Sequence, residues 1–240
     1  MNNNLTIKEL GGINIKDHIP DNAKLKELIE YTKQNAQKWK TLQTYYQCAM
    51  MEIETKFRVL DQEFSLQYDC NPIETIKTRI KGMESLAGKL VRKNLPMNIK
   101  SVEDNIFDMA GVRVICSFIE DIYKIADSFL SQDDVVLLDK RDYIKNPKPS
   151  GYRGLHLIVE VPIFLHNEKR MMKVEVQLRT IAMDFWASLE HKLRYKKDLS
   201  PELMEKLSQE LTTCAMQITN VDGKMQTLKN IIDEYNENIA

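Results

Sequence analysis

The chain has no surplus of charge of either sign: 34 lysines and arginines stand against 35 aspartates and glutamates in 240 residues. That balance excludes a wholesale electrostatic nucleic-acid binder, while local basic patches remain open. Cysteine is sparse, and the four present, Cys48, Cys70, Cys116 and Cys214, are scattered. No Cys-x-x-Cys pair occurs and no histidine stands at ligand spacing. A zinc site is therefore not expected, and reduced, buried thiols in a cytosolic protein are. No apolar run approaches membrane-spanning length. The opening Met1-Asn2-Asn3-Asn4 is polar and has no signal-peptide core. The expectation is a soluble, cytoplasmic protein with no membrane partner. Internal repeats and low-complexity tracts are absent.

The length suits one ordinary domain with helical extensions, and a hydrophobic fraction of 43% supplies a normal core. Four segments are expected: a flexible leader over 1–20, a helical segment over 21–66, an α/β domain over 67–199 and a C-terminal helix over 200–240. In the first helix the apolar positions step by threes and fours through Leu25, Ile29, Thr32, Ala36, Trp39, Tyr46, Met50, Ile53, Phe57, Leu60 and Phe64, with Gln43 interrupting. The C-terminal stripe runs Met204, Leu207, Leu211, Cys214, Ile218, Val221, Met225, Leu228, Ile232, Tyr235. Ser200-Pro201 before it supplies an N-cap and a proline at the first helical position. Either stripe fits packing within the chain or against a second copy.

Between these helices, Asn71-Pro72-Ile73-Glu74 reads as the start of a short helix, and Arg79-Ile80-Lys81-Gly82 as a brief extended piece. A helix is expected over 83–93, strands over 111–118, 135–138, 155–161 and 171–178, and helices over 119–130 and 181–195. The last should turn Met183, Trp186, Leu189 and Leu193 inward. The fold class is α/β (α+β), with a mixed sheet of about five strands flanked by helices.

Side chains with chemistry gather in four places. Strict alternation in Val174-Glu175-Val176-Gln177-Leu178-Arg179 buries Val174, Val176 and Leu178 and leaves Glu175, Gln177 and Arg179 on the other face. Such a face is either ordinary solvated strand or a rigid platform for a metal and a polyphosphate. Asp108 stands just before an apolar strand containing Arg113. It reads as a metal-holding carboxylate at a sheet edge or as a turn aspartate. Arg79, Lys81, Lys89 and Arg92 form a cationic group suited to a triphosphate or to a solvated face; Lys89 and Arg92 share a helix side. The loop Asp142 to His156 carries two prolines, two glycines, Lys145, Lys148, Arg153 and Tyr152. It can bind phosphate through its cations and stack a base on Tyr152. Asp184, Glu190 and His191 follow on the next helix, where Glu190 and Arg194 have helix salt-bridge spacing. Asp108 and Glu175 are the two carboxylates assigned to metal, and magnesium, which completes its octahedron with water and phosphate oxygens, is the cofactor they suit.

Several strings resemble the RelA/SpoT-type alarmone synthetase domain. They are Arg79-Ile80-Lys81, Asp108-Met109-Ala110-Gly111-Val112-Arg113, the loop Tyr143 to His156, and Val174-Glu175-Val176-Gln177-Leu178-Arg179-Thr180 followed by 183–196. The resemblance spans about 70–200, and with flanking helices the chain looks like a stand-alone small alarmone synthetase. It implies a nucleotidyltransferase-like fold and transfer of the β,γ-pyrophosphate of ATP to the ribose 3′-hydroxyl of GDP or GTP. The products would be ppGpp or pppGpp and AMP. Arg79 and Arg113 would sandwich adenine, and Lys81, Lys89 and Arg92 would hold ATP phosphates. Asp108 and Glu175 would bind Mg2+, with Glu175 also taking the proton of the 3′-hydroxyl. Tyr152 would stack on guanine, supported by Lys148, His156, Gln177 and Arg179. Homotetramers are implied, and single-stranded RNA is a further partner the resemblance raises. Gly154 departs from the family, where serine is common, and Gly82-Met83 follows Lys81 where serine is usual. No His-Asp dipeptide occurs, so alarmone hydrolysis is not expected, nor are C-terminal ribosome-sensing domains. Two other functions stay open: pyrophosphorylation of tRNA 3′ ends, and non-catalytic alarmone or RNA binding.

Overall fold

The computed structural model describes residues 22–68, 71–194 and 200–238; the expected leader over 1–20 lies outside them. The elements are α1 (Asn22–Gln34), α2 (Ala36–Tyr68), β1 (Ile73–Ile80), α3 (Met83–Arg92), α4 (Ile99–Asn105), β2 (Ala110–Cys116), α5 (Ile119–Leu130), β3 (Val136–Asp142), β4 (Leu155–Phe164), β5 (Lys169–Thr180), α6 (Ile181–Arg194) and α7 (Pro201–Glu237). The five strands form one sheet in the order β1-β2-β5-β4-β3. The β2–β5 pair is parallel and the other three pairs are antiparallel, so the sheet is mixed, as expected.

One face of the sheet is oil and the other is charge. Val112, Val114, Val174, Val176, Leu178, Leu155, Leu157 and Val159 are buried at alternate positions. They form the floor under α2 and α5, which pack on the sheet. Phe57 of α2 and Phe129 of α5 stack there at 4.5 Å between ring centroids, both fully buried. The intervening residues, Arg113, Glu175, Gln177, Arg179 and His156, point to the opposite face by the period of two.

Four readings need correction. The helix expected to start at Asn71 is strand β1. Five of its eight residues are β-branched (Ile73, Thr75, Ile76, Thr78, Ile80), and pairing with β2 overrides the local capping signal. The single long N-terminal helix is two, divided at Asn35. There the side-chain amide donates to Tyr31 O at 3.0 Å beside the residue's own backbone N–H, a local competition that distorts a helix. The inward set also differs: Leu28, Leu42 and Ala49 are buried while Ala36 is exposed. On α6, Met183 and Trp186 are buried, but Leu189 and Leu193 are each 40% exposed. Helix α4 was not expected; Asn98 starts it, accepting from Ser101 N–H at 2.8 Å.

Helix α7 begins at the expected cap, Ser200 Oγ accepting from Leu203 N–H at 3.3 Å, with Pro201 at N1. Its first half packs on α6 through Leu211 and Ala215. Its second half leaves Val221, Met225, Leu228, Ile232 and Tyr235 between 53% and 67% exposed. Among the described residues, no helix is long and apolar enough to cross a membrane.

Candidate active site

Strand register decides what meets on the charged face. One row across the sheet aligns Arg79, Gly111 and Glu175; the next aligns Lys77, Arg113, Gln177 and His156. Gly111 adds no side chain between Arg79 and Glu175, so a cleft opens there. Asp108, Arg79, Arg113, Glu175 and Gln177 all line it. Two carboxylates separated by 67 positions in sequence thus flank one concavity.

Asp108 lies in the turn before β2. Lys81 Nζ, just past the end of β1, donates to its Oδ2 at 2.9 Å. Lys89 Nζ, from α3, lies 2.7 Å from Oδ1 as a charge contact that lacks hydrogen-bond direction. Burial pushes this carboxyl up, but the two lysines outweigh it and hold Asp108 below the usual aspartate value. Glu175 receives Gln177 Nε2–H at 2.8 Å on Oε2 and faces His156 Nδ1 at 3.1 Å on Oε1. Burial again acts upward, and so does the charge of Asp108; the His156 and Gln177 contacts prevail and Glu175 is held low. Both acids are therefore ionised near neutrality.

A hydrogen-bonded chain leads from Glu175 to the loop. Tyr152 Oη lies 2.5 Å from His156 Nε2 and accepts from Arg179 Nη2 at 2.9 Å. The consistent assignment has Arg179 donating to Tyr152, Tyr152 O–H donating to Nε2, and Nδ1–H donating to Glu175. Lys148 Nζ sits over the rings of Tyr143 and Tyr152 at 4.5 and 4.9 Å from their centroids. Gly154 has φ +156, and a Cβ there would come within 3.1 Å of Tyr152 Oη. A side chain at this position would require the tyrosine hydroxyl to give way by a few tenths of an ångström.

Asp184, near the start of α6, is a hub that the sequence reading left without a role. It pairs with Lys77 at 3.2 Å and with Arg113 and Arg179 at 3.0 Å each. Burial raises its carboxyl, and the three cations outweigh that and lower it. Lys77 was missed as well; its signal was its position two residues before Arg79, on the same face of a strand read as helix. Arg179 is buried and engages Asp184, Tyr152 and Gln177 through its two terminal nitrogens, so it braces the other groups. Arg92 is exposed in the last turn of α3.

Six cations (Lys77, Arg79, Lys81, Lys89, Arg113, Arg179) stand against three carboxylates (Asp108, Glu175, Asp184) on this face. That excess suits a polyphosphate. Among the described residues, no group of three or more His, Cys, Asp or Glu side chains is placed to hold a metal. Two carboxylates on one cleft, one with a buried oxygen lacking a directed hydrogen bond, fit an ion that takes its remaining ligands from phosphate and water.

A mixed sheet with α2 and α5 on one face and a cationic, doubly acidic cleft on the other defines a protein built to handle phosphate esters. Residues 78–200 match the model of the "Region found in RelA / SpoT proteins". The chain is 44% identical over 195 residues to the GTP pyrophosphokinase YwaC of Bacillus subtilis, covering 81% of this chain and 92% of that protein. It is 32% identical over 197 residues to the GTP pyrophosphokinase YjbM of the same organism, covering 82% and 90%. The crystal structure of small alarmone synthetase 2 from Bacillus subtilis superposes with a TM-score of 0.70 at 42% identity, over 80% of this chain and 98% of that one. Small alarmone synthetase 1 of that organism, bound to its product pppGpp, gives 0.73 at 29% identity, over 81% and 98%. The chain belongs to the RelA/SpoT family.

Proposed function

We propose that this protein transfers the β,γ-pyrophosphate of ATP to the 3′-hydroxyl of GDP or GTP, releasing AMP and forming ppGpp or pppGpp. The observation that carries this reading is the convergence of Asp108 and Glu175 on one cationic cleft, with Tyr152 joined to Glu175 through His156.

Phosphoryl-type transfer asks for positioning and charge neutralisation more than covalent help. Arg79 and Arg113 bracket the adenine, whose flat face suits guanidinium planes. Lys81 and Lys89, now on Asp108, turn to the triphosphate when it arrives, with Arg92 at the outer end. Tyr152 offers its ring to guanine beside Lys148, and Arg179 and Gln177 hold the acceptor end of the sheet in place. Glu175, ionised and fixed by two donors, still has lone pairs free to take the proton of the 3′-hydroxyl. Asp108 and Glu175 would hold a magnesium ion, which when bound neutralises charge on the phosphate oxygens. The exposed stripe on α7 supports assembly with further copies of the chain, a homotetramer being the expected form.

The test is chromatography of products from ATP and Mg2+ with GDP, GTP, tRNA or no acceptor. AMP and a guanosine tetra- or pentaphosphate should form only when GDP or GTP is present. AMP release with tRNA alone would replace the acceptor, and release with none would overturn the reading.

A further inference from the structure

The acceptor loop rests on the C-terminal helix, and one buried carboxylate joins them. Asp222 of α7 is 6% exposed. Its Oδ2 accepts from Thr180 Oγ1 at 3.0 Å and lies 3.5 Å from Nη1 of Arg153, the residue after Tyr152. Arg153 Nη1 is buried and makes no hydrogen bond, so Asp222 is what answers its charge. Two further contacts press the loop against the helix. Gly151 has φ +88 and approaches so closely that an added Cβ would fall 2.5 Å from the Cβ of Ala215. Tyr152 packs against the Trp186, Leu211 and Ala215 cluster, and Trp186 Nε1 donates to Leu211 O at 3.0 Å. Burial raises the Asp222 carboxyl despite Thr180 and Arg153, which marks a charge placed there at a cost.

We propose that Asp222, acting through Arg153, is a positioning residue for the acceptor nucleotide: it fixes the loop that carries Tyr152, so that α7 sets affinity for the guanosine substrate. The inference rests on Tyr152 stacking the acceptor base. The donor cations Arg79, Lys81 and Lys89 stand on β1, just past it and on α3, at the opposite edge of the sheet, and Arg113 on β2 is paired with Asp184 of α6 rather than with Asp222.

Asp222→Asn keeps an oxygen for the Thr180 hydroxyl and removes the charge facing Arg153. Arg153→Gln approaches the same pair from the loop. In the full-length protein, each should raise KM for GDP and GTP on the order of tenfold while leaving KM for ATP within about twofold. Hydrogen exchange of the amides in 146–154 should quicken, with β2 and β5 unchanged. The double variant should be no worse than the poorer single one, as expected for one shared interaction. Equal rises in both KM values, or a lower Tm with unchanged KM values and unchanged loop exchange, would overturn the proposal. Should the parent protein form no guanosine product, the pyrophosphokinase reading fails by itself; loop exchange in Asp222→Asn then still decides the anchoring, and an unchanged rate overturns it.

Discussion

Glu175 illustrates how one side chain is tuned by its neighbours. It is buried, which favours the neutral acid, and two donors reverse that preference. Replacing it with glutamine keeps the shape and removes the proposed base. Steady-state AMP release should fall by on the order of a hundredfold or more, with melting little changed. Asp184 is the structural counterpart. Asp184→Asn leaves Arg113, Arg179 and Lys77 without their shared anion, and thermal unfolding should register a loss of about 3 kcal/mol. The pH dependence has a definite sign. Asp108, Glu175 and Asp184 are all held below their ordinary values of 3.8, 4.5 and 3.8. Their contribution to stability is present above those values and is lost as pH falls through the lower folded ones. Tm should therefore hold between neutrality and pH about 5 and decline below about 4, a slope that Asp184→Asn should flatten. Asp222, shifted upward, works in the opposite direction and reduces the net slope. At this scale much was legible: alternation alone put Glu175, Gln177 and Arg179 on one face. What they touch was less so, because Tyr152 stands 27 positions from Arg179 and His156 stands 19 from Glu175.

Among the elements, β1 shows why a local signal can mislead. Asn-Pro followed by an acid imitates a helix start, and nothing local reports that β2 stands ready to pair with Ile73 to Ile80. The remaining strands were legible because apolar runs bounded by polar turns survive any packing. The loop between β3 and β4 makes a sharper test of element-level packing. Gly151→Ala puts a side chain at positive φ into the body of α7. Thermal unfolding should show a loss of about 1–3 kcal/mol, and KM for the guanosine nucleotide should rise. Phe57→Ala opens a cavity against Phe129 far from the cleft; it should cost about 3–5 kcal/mol by denaturant titration without changing the KM of the surviving native fraction.

At the scale of the whole molecule, α7 has two roles along its length. Its first half clamps α6 and, with Asp222, the loop between β3 and β4, while the exposed side of its second half presents an apolar stripe. The double substitution Leu228→Glu with Ile232→Glu should therefore lower the mass measured by sedimentation equilibrium, provided the stripe is the surface on which copies assemble.

Sequence by itself determined the alternating strands, the helix stripes and the strings that mark the family, because all of these are short-range and follow from the period of the backbone. Only the tertiary structure decided that Asp108 and Glu175 share a cleft, that Asp184 gathers three cations, and that Asp222 reaches the loop between β3 and β4. Those outcomes depend on strand order and on which helix covers which edge. Both are set by the packing of the entire chain, for which no window of neighbouring residues carries a signature.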